Sequence, residues 1–171
     1  MANITIRNKL EMFRTKILTA SFPPNYGSDY ELFTKLRDST NCYAYALQLP
    51  VPLDRETPNY DPGFLCGIRI YQDHYQEYQK NIIKGLLGDC EILGINIKQI
   101  GKNTKLSNNA YRIALGYVWN NYHWQFHFLR ENIDGTWSEK IGWKQDVNNE
   151  FALEETTDHF RSLSYYSLSR K

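Results

Sequence analysis

The run YRIALGYVWNNYHWQFHFLRENIDGTWSEKIGWK, residues 111 to 144, decides the fold. Tyr111, Ile113, Leu115, Tyr117 and Trp119 alternate with Arg112, Ala114, Gly116 and Val118, the two-residue period of a strand. Asn120-Asn121 then breaks the pattern as a turn does. From His123 to Arg130 the alternation returns, with Trp124, Phe126 and Phe128 on one face and His123, Gln125 and His127 on the other. Asp134-Gly135 is a strong hairpin signal, and Trp137 to Lys144 reads as the third strand. Leu163 to Ser169 is expected as a fourth.

Upstream the period lengthens. Tyr78, Ile82, Ile83 and Leu86 recur at helical spacing within residues 73 to 94, and Leu93 to Ile100 is expected to lead off the sheet. Asp38-Ser39-Thr40-Asn41 favours turns and helix N-caps, so Cys42-Tyr43-Ala44-Tyr45-Ala46-Leu47 is expected to be a short helix that stops before Pro50. Between them, residues 50 to 67 carry four prolines and read as an extended loop. Ser28 and Glu31 form a capping box for a helix over Tyr30 to Leu36, while residues 1 to 27 are irregular. Helices followed by an antiparallel meander make an α+β arrangement, read here as one domain over residues 1 to 171.

Composition narrows the function classes. Lys and Arg number 20 and Asp and Glu 19, so no cationic excess exists to neutralise phosphates, and nucleic acid is not an expected partner. No apolar run approaches the roughly 18 residues that span a bilayer, and Arg7, Lys9 and Glu11 interrupt any signal-peptide core. A cytoplasmic protein is therefore expected, without membrane attachment. The three cysteines, Cys42, Cys66 and Cys90, include no CxxC pair, so reduced thiols are expected and no zinc site or cofactor is read. Cys90, in Leu86-Leu87-Gly88-Asp89-Cys90-Glu91-Ile92-Leu93, reads as core, and Cys66 as part of a turn. Arg130 and Lys140 read as exposed strand cations, and the tryptophans as core or cross-strand pairs.

Cys42 differs in position. A thiolate is stabilised by a helix N-terminus and by a nearby imidazolium, and Cys42 has the first if its helix forms. The backbone amides of the first helical turn would then be placed to hold an oxyanion. Of His74, His123, His127 and His159, the strand pair matters most. On a strand His123 and His127 stand about 13 Å apart, too far to share one metal ion. Two readings follow for these histidines: half-buried strand residues, or a strand-borne base facing the helix-borne thiol.

Asn41-Cys42-Tyr43-Ala44-Tyr45-Ala46-Leu47, Pro62-Gly63-Phe64, Phe126-His127-Phe128-Leu129-Arg130 and Asp134-Gly135-Thr136-Trp137-Ser138-Glu139-Lys140-Ile141-Gly142 occur in that order. The series resembles a group of small bacterial papain-like cysteine hydrolases, whose pattern runs N-C-Y-A-Y-A, P-G, D-x-H-W-Y-R and D-G-x-W-S-H-K-P-G. The resemblance covers roughly residues 38 to 144. It implies a papain-like fold, Cys42 as nucleophile and His127 as general base; the first function class is then a cysteine hydrolase of an amide bond, as peptidase, amidase or deamidase, with a protein or peptide as the expected substrate. Asn41, Tyr43 and Gln125 flank the pair as oxyanion or substrate residues. Two positions depart from the pattern: Gln125 stands for an acidic residue, and Glu139 for a histidine.

Glu139 would serve as the third member, orienting the imidazole, if it reaches. A two-residue Asp134-Gly135 loop pairs residue 130 with 139 and puts Glu139 on the face opposite His127. A three-residue loop or a bulge pairs 129 with 139 and brings the two to one face. A second function class also fits the sequence: a binding or inhibitory protein, of phage or mobile-element type, that keeps the fold without turnover and grips a host protein. Its 13 tyrosines suit an interface.

Overall fold

The computed structural model describes residues 33–34, 40–49, 61–71, 74–141, 147–151 and 160–170. Helix α1 is Cys42–Ala46 and helix α2 is Tyr75–Leu93. Six strands follow: β1 Ile95–Ile100, β2 Ala110–Trp119, β3 Trp124–Glu131, β4 Trp137–Lys140, β5 Val147–Phe151 and β6 Ser162–Arg170. The helices expected at Cys42 and within residues 73 to 94 are thus present, as are the strands expected over Leu93 to Ile100, Tyr111 to Trp119 and His123 to Arg130. The capping-box helix before residue 37 and His159 fall largely or wholly outside the described residues, as does the loop over residues 50 to 60.

All strands pair antiparallel in the order β1-β6-β2-β3-β4-β5. Strands β2 to β5 form the meander. The last strand does not extend it: β6 crosses back and enters between β1 and β2, so the C-terminal strand lies inside the sheet. Two differences from the sequence reading follow, since β5 was not expected and β4 stops at Lys140 rather than Lys144.

Helices α1 and α2 cover one face. Tyr43, Ala44, Tyr78, Ile82 and Leu86 pack there against Tyr111, Ile113, Leu115 and Tyr117 of β2 and Phe128 of β3. At roughly 1.5 to 3 kcal/mol for each large apolar side chain fully buried, this layer supplies most of the drive for collapse. The opposite face is not open to water at its centre. Ala114, Leu129 and Trp137 form a second cluster there, topped by Phe160, Leu163 and Tyr165.

Arg130 and Lys140, expected on the surface, are both fully buried. Arg130 shares the α1 face of the sheet, where its guanidinium lies 4.1 Å above the Tyr45 ring and Nη2 donates to the Tyr45 hydroxyl at 2.9 Å. That hydroxyl in turn donates to Ser138 Oγ at 2.7 Å, so α1 is bolted to β3 and β4 through one tyrosine. A strand-end cation is exposed only if nothing packs on its face, and here α1 does. Trp119 and Trp124 do form the expected cross-strand pair, with ring centroids 5.1 Å apart.

Candidate active site

Helix α1 begins where the side-chain chemistry dictates. Asn41 stays extended, and its Oδ1 accepts the Ala44 amide at 3.0 Å, which makes it the N-cap. Gln48 then turns into the left-handed region with φ 54, and the helix ends after Ala46. Cys42 occupies the first helical position, with 5% of its surface exposed. The Cys42 and Tyr43 amides, at the first two positions, are those an α-helix leaves without intrahelical acceptors.

The β3–β4 connection settles the register. Asn132 is bridged to Thr136 by a backbone bond of 2.7 Å, and Gly135, with φ 86, donates its amide back to the Asn132 carbonyl at 3.0 Å. Asp134 Oδ1 accepts both the Thr136 amide and its hydroxyl, at 3.0 and 2.7 Å. Three residues therefore form the loop, with the left-handed one in third place, where glycine costs least. Leu129 consequently pairs with Glu139, and Glu139 shares a face with His127. Of the two registers open to the sequence, the chain takes the one that brings the carboxylate to the imidazole.

They meet closely. His127 Nε2 lies 2.6 Å from Glu139 Oε2, in a pair whose side chains are only 19% and 11% exposed. Strand β4 pairs with β3 only at Leu129, Arg130 and Glu131, which leaves the β3 edge beyond them without a strand among the described residues. Tyr78 of α2 accepts the Phe126 amide there. Cys42 lies close enough to His127 in the same region to act on its protonation. Burial works against a charged imidazole. The charge of the Cys42 sulfur, its hydrogen bond, and then the bond and charge of Glu139 outweigh that penalty and push His127 up to about 10. With Nε2 given to the carboxylate, Nδ1 is the ring nitrogen left to interact with the sulfur.

The remaining expected residues divide. Asn41 adjoins the thiol as its helix cap. Tyr43 points its side chain elsewhere: its hydroxyl donates to Asp89 at 2.9 Å inside the core, which leaves only its backbone amide at the start of α1. Gln125 lies on the His127 face but turns its amide toward His123 at 3.2 Å, at the exposed end of β3. Cys90 is fully buried, as expected, and Cys66 is half-buried with its thiol pushed up by burial and by Asp89.

Asp89 escaped the sequence reading. Wholly buried, it accepts the Tyr43 hydroxyl and the Gly63, Leu65 and Cys66 amides at 2.8 to 3.0 Å, clamping the Pro62–Gly67 turn and helix α1 to α2. The signal was a carboxylate at the inward spacing of Ile82, Leu86 and Leu93. Phe160, stacked on His127, gave no such signal, because it approaches from the far end of the chain.

No His, Cys, Asp and Glu group of three or more among the described residues has the arrangement to hold a metal ion. No described helix is long and apolar enough to cross a membrane. No family model, curated protein or solved structure matches the chain.

Proposed function

We propose that the protein is a papain-like cysteine hydrolase that cleaves an amide bond in a protein or peptide. One observation carries the reading: a single imidazole, held by a buried carboxylate on one nitrogen, meets a thiol at the first position of a helix. Cys42 sulfur, giving its proton to His127, attacks the substrate carbonyl carbon and the C=O electrons move to oxygen. The Cys42 and Tyr43 amides face the resulting oxyanion. His127 then gives its proton to the leaving nitrogen as the C–N bond breaks, leaving a thioester on Cys42. Water, losing its proton to His127, attacks that thioester, and the proton returns as the thiol leaves. Glu139 keeps the ring in the orientation both transfers need.

A second reading is a catalytically silent papain-like fold that binds or inhibits a host protein. It draws on the low exposure of Cys42 and on Trp119 and Tyr122, 51% and 86% exposed at the β2–β3 end of the sheet. Alkylation with iodoacetamide separates the two. In the hydrolase, Cys42 labels at pH 6 to 7 about a hundredfold faster than in His127→Ala, and ahead of Cys66 and Cys90. Equal rates for the three thiols would leave the silent reading. A peptide library digested by wild type and untouched by Cys42→Ala completes the test.

A further inference from the structure

The imidazole has a third neighbour that neither donates nor accepts a proton. The Phe160 ring lies nearly parallel to that of His127, with 7° between the planes and 6.2 Å between centroids. That separation is within the range of offset aromatic stacks. Opposite His127 on β2, in direct register, stands Gly116. A Cβ there would fall 2.4 Å from Phe160 Cδ1 and 2.7 Å from Cε1, closer than real Cβ atoms approach. The Gly116 backbone is not in the left-handed region, so its conformation does not call for glycine; the ring above it does. A bare mid-strand residue usually marks the close approach of something else. Here it opens a trough in β2 in which Phe160 lies flat beside the imidazole.

We propose that Phe160, seated over Gly116, is a positioning residue that fixes the plane of His127 so that its two nitrogens face Cys42 and Glu139 together. The proposal rests on the dyad reading above. Two hydrogen bonds made within the ring plane fix the direction of an imidazole's edges, but they resist tilting about the line joining the bonded atoms only weakly. A flat neighbour against one face blocks that tilt. It also keeps water from that side of the His127–Glu139 pair, whose side chains are already mostly enclosed. Phe160 belongs to the cluster with Ala114, Leu129 and Trp137, so its own position is set by packing rather than by the imidazole.

The test measures Cys42 alkylation by iodoacetamide at pH 6 and pH 9.5, read peptide by peptide, in wild type, His127→Ala, Phe160→Leu, Phe160→Tyr and Gly116→Ala. Phe160→Leu keeps an apolar group but loses the flat face, and Gly116→Ala displaces the ring. Both are expected to label Cys42 about tenfold more slowly than wild type at pH 6. The defect should close at pH 9.5, where an ordinary thiol ionises unaided. Phe160→Tyr, with its flat ring restored, should return to within about twofold of wild type. A residue that merely stabilised the fold would have the opposite signature, since loosening the structure exposes a buried thiol and speeds labelling at both pH values. If Phe160→Leu labels as wild type does at pH 6, or faster at both pH values, the positioning role is overturned. Should Gly116→Ala fail to fold, Phe160→Leu still decides. If His127→Ala labels as fast as wild type, the dyad itself is wrong, which is a different failure.

Discussion

Among the described residues two carboxylates are buried, and they are held in opposite ways. Asp89 is wholly enclosed and meets four donors, three of them backbone amides and the fourth the Tyr43 hydroxyl. Glu139, slightly exposed, faces an imidazole whose other partner is a thiol. Fixed donors satisfy a charge permanently, and such a carboxylate is architecture. A titratable donor satisfies it in only one protonation state, and such a carboxylate is poised to take part in proton traffic. The difference lies in the partners, since both acids are well buried.

The contrast breaks most readily at Asp89. Asp89→Asn keeps the shape but leaves one acceptor oxygen for four donors and sets an NH2 against amides. It should destabilise the fold by about 3 kcal/mol or more, read from urea unfolding. A loss no greater than that of Glu139→Gln would erase the distinction drawn here.

Glu139→Gln should do the converse. Its cost in stability is expected near 1 kcal/mol at neutral pH, while Cys42 alkylation at pH 6 drops about tenfold. The pH dependence sharpens this. His127 is raised in the folded state, to about 10, so its contribution is complete below the unfolded value near 6.5 and is lost as pH rises through 10. Wild type should therefore exceed Glu139→Gln in stability at pH 6, with the gap narrowing toward pH 10. A constant gap would mean that the pair is neutral throughout.

The smallest effect belongs to the helix cap. Asn41→Ala removes the acceptor of the Ala44 amide and should cost about 1 kcal/mol in thermal or urea unfolding. Cys42 labelling should fall only slightly, because the imidazole and its carboxylate remain.

Much of this arrangement was legible from residue order. The alternation from Tyr111 to Arg130 defined two strands because a sheet face repeats every two residues, and the cap-rich run before Cys42 defined a helix start because few residue types satisfy free amides. The hairpin register was legible only as a choice between two, since Asp134-Gly135 suits a two-residue loop as well as the three-residue loop that forms. Burial of Arg130 was hidden, because it depends on α1 lying across the strand, a contact between segments 85 positions apart. The place of β6 was hidden for the same reason: insertion between β1 and β2 is decided by partners far away in the chain. Phe160 is the extreme instance, since nothing near it in the chain announces the ring it lies against.

The Asn132–Thr136 turn has an effect that reaches beyond its own atoms. Asn132 Nδ2 donates to the Thr136 hydroxyl at 2.9 Å, and its Oδ1 accepts from Ser138 at 2.8 Å, so one amide braces both the loop and the strand leaving it. Had Asp134-Gly135 closed a two-residue loop instead, Leu129 would pair with Lys140, and Lys140 in place of Glu139 would share the side of the imidazole. A turn remote from the sulfur thus chooses the sign of the charge beside His127, and a sequence drifting at Asn132 or Thr136 could take the carboxylate away while leaving Cys42 and His127 in place.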